Sequence, residues 1–107
     1  MRSADVFLFD RPAGRLVESD EGGYEFRYGA DYLARPDAIP LSFTLPLRAE
    51  PFRSRFLFSF FDGLIPEGWL LDVARTSWKL DPRDRMGLLL ACCRDCIGAA
   101  SVREVPS

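Results

Sequence analysis

The apolar positions of this chain change period about half-way along. In the first half they come in short runs or at every second residue. Val6-Phe7-Leu8-Phe9 is an apolar run that ends at Asp10-Arg11-Pro12-Ala13-Gly14, where Pro and Gly predict a turn. Leu16-Val17 then predicts the return strand. Ser19-Asp20-Glu21-Gly22-Gly23 predicts a second turn, with two glycines able to take positive φ. Tyr24, Phe26 and Tyr28 alternate with Glu25 and Arg27, the period of a half-buried strand. The stretch from Gly29 to Pro40 reads as a connection in which Tyr32 and Leu33 form a packed turn. Leu41, Phe43 and Leu45 alternate with Ser42 and Thr44, which predicts a fourth strand closed by Pro46.

From Ser54 onward the period becomes helical. Phe56, Leu57, Phe60, Phe61 and Leu64 share a helical stripe behind Ser54 as N-cap, and Phe58, off the stripe, marks the helix as enclosed. Gly63 and Pro66 predict its end. Pro66 also suits the first turn of a second helix, with Glu67 near its positive end. Leu70, Val73, Ala74 and Ser77 share one face of that helix, Trp78 borders it, and Trp69 falls well outside it. Asp81-Pro82-Arg83-Asp84 predicts a third helix start, with Asp81 as N-cap and Pro82 at the first position. Met86, Leu89, Leu90 and Cys93 line one face of this helix. Arg94 to Gly98 predicts its break, and Ala99 to Val105 a last strand.

The predicted order is ββββ-ααα-β. Strands followed by helices make an α+β fold: a small antiparallel sheet or partial barrel from the N-terminal half plus the last strand, packed with about three helices. With 107 residues, this is a single domain spanning 1–107.

Composition narrows the chemistry. The chain has 48% hydrophobic and 13% aromatic residues, enough to build a core and too many for a disordered chain. Its length excludes a protein kinase. Fourteen Lys plus Arg against 16 Asp plus Glu give a net charge of −2, so no global field attracts nucleic acid. The absence of His removes the commonest general base and the commonest metal ligand. Cys92, Cys93 and Cys96 are an odd cluster, unsuited to a disulfide framework and consistent with a reducing cytoplasm. Neither a signal-peptide core nor an apolar run of the ~20 residues that span a bilayer is present, so a cytoplasmic protein without membrane contact is expected.

Each candidate for chemistry has a simpler reading. Cys93-x-x-Cys96 has no second pair of ligands with which to hold zinc, and Cys92 and Cys93 fall on an apolar helix face. Phe61-Asp62-Gly63 resembles a scrambled kinase metal-binding triplet, but without a phosphate loop it reads as a helix end. The pairs Glu67 with Asp72 and Asp81 with Asp84 are explained by first-turn charge and capping. Arg48, Arg53 and Arg55, interrupted by Glu50, suit a solvated loop or the rim of a protein contact. No catalytic residue, cofactor site or metal site is expected. Trp69 stands apart. It follows Pro66-Glu67-Gly68 at a helix entrance and off the core face, so it is either a partner anchor or a residue packed under the loops of the sheet.

Three stretches resemble the N-terminal module of HipA-type toxin kinases. Pro40-Leu41-Ser42-Phe43-Thr44-Leu45-Pro46-Leu47 is similar to its PLSxSLPL stretch, Phe60 to Gly68 to its FFxxLLPEG motif, and Asp95-Cys96-Ile97-Gly98-Ala99 to its closing DxxGA. Phe7-Leu8-Phe9-Asp10 with Gly14-Arg15-Leu16 suits its first hairpin. In that family the module precedes a much longer kinase body, whereas this sequence ends shortly after Gly98-Ala99. The resemblance therefore implies a HipS-like antitoxin of a split, three-component system. Its partners would be a HipT-like Ser/Thr kinase toxin and a HipB-like DNA-binding protein, with no direct contact to nucleic acid. On that reading the kinase-binding segment is Leu64, Ile65, Pro66, Glu67, Gly68 and Trp69, with Trp69 inserted as the anchor. The alternative is a structural module of a fused HipA-type kinase.

Overall fold

The computed structural model describes residues 2–65, 84–92 and 100–105. Strand β1 (Arg2–Leu8) pairs antiparallel with β2 (Arg11–Glu18), and β2 with β3 (Tyr24–Tyr28). A single helical turn, α1 (Ala30–Leu33), leads into a long connection and then into β4 (Phe52–Ser54), which pairs with β3. Helices α2 (Ser59–Asp62) and α3 (Arg85–Cys92) follow, and β5 (Ala100–Val105) returns to pair with β1. The sheet is five-stranded, antiparallel and open, in the order β4-β3-β2-β1-β5. The chain is an α+β fold.

Alternation sorts the strand residues onto two faces. Ala4, Val6, Leu8, Leu16, Phe26, Tyr28, Phe52, Ala100 and Val102 are buried on one of them. Phe61 of α2, Ile65 just beyond it, and Met86, Leu88 and Leu89 of α3 close the core over that face. Aromatic rings form its centre. Phe26 meets Tyr28 edge-on at 4.9 Å and Phe61 at 5.5 Å, while Tyr28 stacks on Tyr32 at 6.0 Å. Gly14 makes this packing possible, because a Cβ there would lie 2.3 Å from the Arg27 carbonyl oxygen and 2.9 Å from the Phe26 ring.

Three sequence expectations are corrected. The first turn is Phe9-Asp10, both at positive φ (51° and 63°), so Pro12 to Gly14 belong to β2. Pro12 is tolerated because β3 begins pairing only at Gly14, leaving no ladder donor required on that side.

The fourth strand is not at 41–45. That stretch is a tight turn closed by Leu45 N–H donating to the Ser42 carbonyl at 3.1 Å, and Phe43 at its tip is fully exposed. Ser42 Oγ accepts from the Thr44 amide and contacts Thr44 Oγ1, so side chains satisfy the backbone locally. Pro40 and Pro46 remove the donors at both ends. The Tyr28 hydroxyl ties the legs together, accepting from Leu41 N–H and donating to the Leu45 carbonyl. Burial raises the Tyr28 pKa, as expected for a hydroxyl that keeps its proton in this bond.

The fourth strand is Phe52–Ser54, so the following helix starts later than its apolar stripe predicts. Ser54 ends β4, its Oγ accepting from Phe56 N–H, and Phe58 occupies the N-cap position of α2. Phe56 is therefore exposed rather than part of a buried stripe. Gly63 is the C-cap, as the sequence predicts.

The helix expected through Leu70, Val73, Ala74, Ser77 and Trp78, the Asp81-Pro82 start, and Cys93 to Gly98 lie outside the described residues. The last strand, expected at Ala99 to Val105, is β5 (Ala100–Val105).

Candidate functional site

Leu64 and Ile65 are the described part of the candidate binding segment; Pro66, Glu67, Gly68 and Trp69 lie outside the described residues. Ile65 is buried in the core, its N–H donating to the Asp62 carbonyl at 3.2 Å, and Leu64 is half-buried against the same cluster. The chain thus leaves α2 with its apolar side chains held by the sheet.

At Asp84 and Arg85 the chain is held again. Arg85 Nε donates to Asp62 Oδ1 at 2.7 Å, joining the start of α3 to the end of α2 across 23 residues of sequence. Arg2 makes the second attachment. Its guanidinium donates to both carboxylate oxygens of Glu18, at 2.7 and 2.9 Å, and to both of Asp84, at 3.0 and 2.7 Å. Fork-to-fork geometry of this kind suits Arg and not Lys. Asp84 also caps α3, accepting from Gly87 N–H at 3.1 Å while its carbonyl takes Leu88 N–H at 3.0 Å.

Electrostatics agree with the geometry. The Asp84 carboxyl is held below its usual range, first by the hydrogen bond from Arg2, and Arg2 is held well above its own, first by Asp84 and then by Glu18. Tyr24, which donates to Glu18 at 3.4 Å, is raised chiefly by burial. Gly87 leaves room for the clamp, since a Cβ there would lie 2.4 Å from Asp84 Oδ2. Beside this attachment is a surface cleft of about 520 Å³, lined by Tyr24, Phe56, Leu57, Asp62 and Arg85 among others.

The other sequence candidates are dispersed. Arg48 lies over the Phe52 ring at 3.7 Å, Arg53 pairs with Glu25 at 3.3 Å, and Arg55 is exposed. Asp62 faces Arg85 and Asp84 faces Arg2; these carboxylates serve ion pairs. Among the described residues no cluster could hold a metal ion, and no helix is long and apolar enough to cross a membrane. Sequence reasoning missed Arg2. Its signal was the continuation of the Ala4, Val6, Leu8 alternation two residues toward the N-terminus, which sets Arg2 on the covered face.

Comparison with known proteins decides the family. The profile of the HipA N-terminal domain matches residues 4–103. The chain belongs to the HipA N-terminal domain family. A solved N-terminal domain of HipA toxin superposes with a TM-score of 0.74 at 32% identity, covering 100% of this chain and 95% of that one. A protein of Haemophilus influenzae, uncharacterized, is 36% identical over 104 residues, which are 97% of this chain and 93% of the relative. A putative kinase of Sinorhizobium fredii, Y4mE, is 32% identical over 99 residues. That match spans 92% of this chain but only 24% of the relative.

Proposed function

We propose that this HipA N-terminal domain is a non-enzymatic antitoxin that binds and neutralises a HipT-like Ser/Thr kinase toxin in the cytoplasm, together with a HipB-like DNA-binding protein. The observation that carries this reading is the domain's double occurrence. It makes up nearly all of the Haemophilus protein and about a quarter of the putative kinase. A domain that accompanies a kinase body in one chain is suited to bind a kinase supplied as a separate chain.

The kinase-binding segment is Leu64 to Trp69, entered through Ile65, whose own side chain stays in the core, and anchored by Trp69. Ile65 fixes one end in the core, and the Asp62–Arg85 pair with the Arg2–Asp84–Glu18 clamp holds the chain on its return. Fixing its entry at Ile65 lowers the conformational entropy lost on binding. Inhibition then requires this surface to bind an inactive kinase conformation better than the active one, or to cover the nucleotide or substrate site.

The test is co-expression with a HipT-like kinase toxin. Growth arrest by that kinase is relieved by the wild-type protein, and Trp69→Ala weakens the complex by more than ~2 kcal/mol while the isolated variant keeps its melting temperature. Growth arrest unaffected by the wild-type protein rejects the antitoxin reading and leaves a structural module of a fused HipA-type kinase. Unfolding of isolated Trp69→Ala places the indole in the core.

A further inference from the structure

The face of the sheet opposite the core carries its own pattern. Antiparallel register aligns Arg103 with Asp5, Asp5 with Arg15, and Arg15 with Arg27, so β5, β1, β2 and β3 present one continuous row across the strands. The neighbouring row runs Val105, Ser3, Val17, Glu25, Arg53. The four guanidiniums are exposed. Against Asp5 and Glu25 they give this face a charge of +2, on a chain whose net charge is −2.

Internal pairing uses only part of that charge. Arg15 pairs with Asp5 at 3.1 Å and Arg53 with Glu25 at 3.3 Å. Arg27 has no ion pair among the described residues, although it stands directly opposite Arg15, where like charges are destabilising. Arg103 is spread over the Phe7 ring at 4.9 Å. A face kept at a cost to sheet stability, with two guanidiniums outside any ion pair among the described residues, is arranged for something outside the chain.

We propose that this open face is a docking surface for an extended acidic segment of a protein partner, running across the strands with carboxylates over Arg103 and Arg27. Three strand spacings separate these residues, about 14 Å, which is the reach of roughly four residues of extended chain. The occupant therefore carries Asp or Glu at positions i and i+4, with neutral residues between them over Asp5. Nucleic acid fits less well, because Asp5 in the middle of the row and Glu25 beside Arg53 would face phosphates. A second copy fits less well too, because two-fold packing of the row on itself sets Arg27 against Arg103 at both ends. The proposal stands on the sheet face alone and does not depend on the kinase.

Fluorescence anisotropy of the full chain at about 20 mM salt tests it. The probe is a labelled peptide with Glu at every fourth position and Ser between; the comparison ligands are its Gln counterpart and a duplex DNA of matched charge. The expected result is binding of the Glu peptide that weakens at least about tenfold in Arg27→Gln/Arg103→Gln, with Arg35→Gln as an unaffected control. The Gln peptide does not bind, and the double variant melts as the wild type does. Absence of binding to the Glu peptide overturns the proposal, as does binding unchanged by the double variant. Tighter binding of the duplex DNA overturns it in favour of a nucleic-acid surface.

Discussion

The two faces of the sheet are written by the same strands and do opposite work. On the covered face, Phe26, Tyr28 and Leu16 meet Phe61 and the apolar residues of α3, and almost any change of volume is felt. On the open face, Asp5, Arg15, Arg27 and Arg103 project into solvent, and the charges there compensate one another only in part. Stability is concentrated on the first face, which leaves the second free to carry charge that the fold does not need. The clamp of Arg2 lies between these extremes: a charged group on the covered side, spent on holding α3.

Substitutions can break this contrast in order of size. Phe61→Ala removes a fully buried ring from the aromatic centre and lowers unfolding free energy by about 3–5 kcal/mol, read from urea denaturation midpoints. Gly14→Ala forces a Cβ onto the Arg27 carbonyl and the Phe26 ring and costs about 1–3 kcal/mol in the same assay. Arg2→Met leaves Glu18 and Asp84 without their shared partner. Discounted for partial exposure, its cost is about 1–2 kcal/mol at neutral pH.

That cost depends on pH with a defined sign. The folded Asp84 pKa lies below its unfolded value, so its contribution is full above about pH 4 and is lost as pH falls through the depressed folded value. Thermal melts from neutral pH into that range therefore show a steeper acid loss for the wild type than for Arg2→Met. Parallel acid limbs would remove Asp84 from the clamp. The smallest effect belongs to the open face: Arg27→Thr changes stability by no more than about 0.5 kcal/mol, with relief of the Arg15 repulsion favouring a gain. A loss beyond about 1 kcal/mol would make that face structural.

The alternation of Tyr24, Phe26 and Tyr28, the glycine turn at Ser19 to Gly23 and the last strand were legible because burial on one face leaves period 2 in the sequence. The stretch Leu41 to Leu45 has the same period and is a turn. Its apolar residues are flanked by two prolines, and Ser42 with Thr44 supplies the bonds that a neighbouring strand would have given. The helical stripe from Phe56 was misleading for a related reason, since pairing of Phe52–Ser54 with β3 delays the helix to Ser59. Family membership was legible in three motifs. The clamp was not, because Arg2, Glu18 and Asp84 are brought together by tertiary structure, and no local spacing joins them. The charge row was hidden likewise, as it exists only once register sets Asp5 between Arg15 and Arg103.

The most direct measurement is the phosphorylation activity of a HipT-like kinase toxin, titrated with this protein. The expected result is a fall to background near equimolar protein, reversed by Trp69→Ala at unchanged melting temperature. Full kinase activity in excess wild-type protein would contradict it.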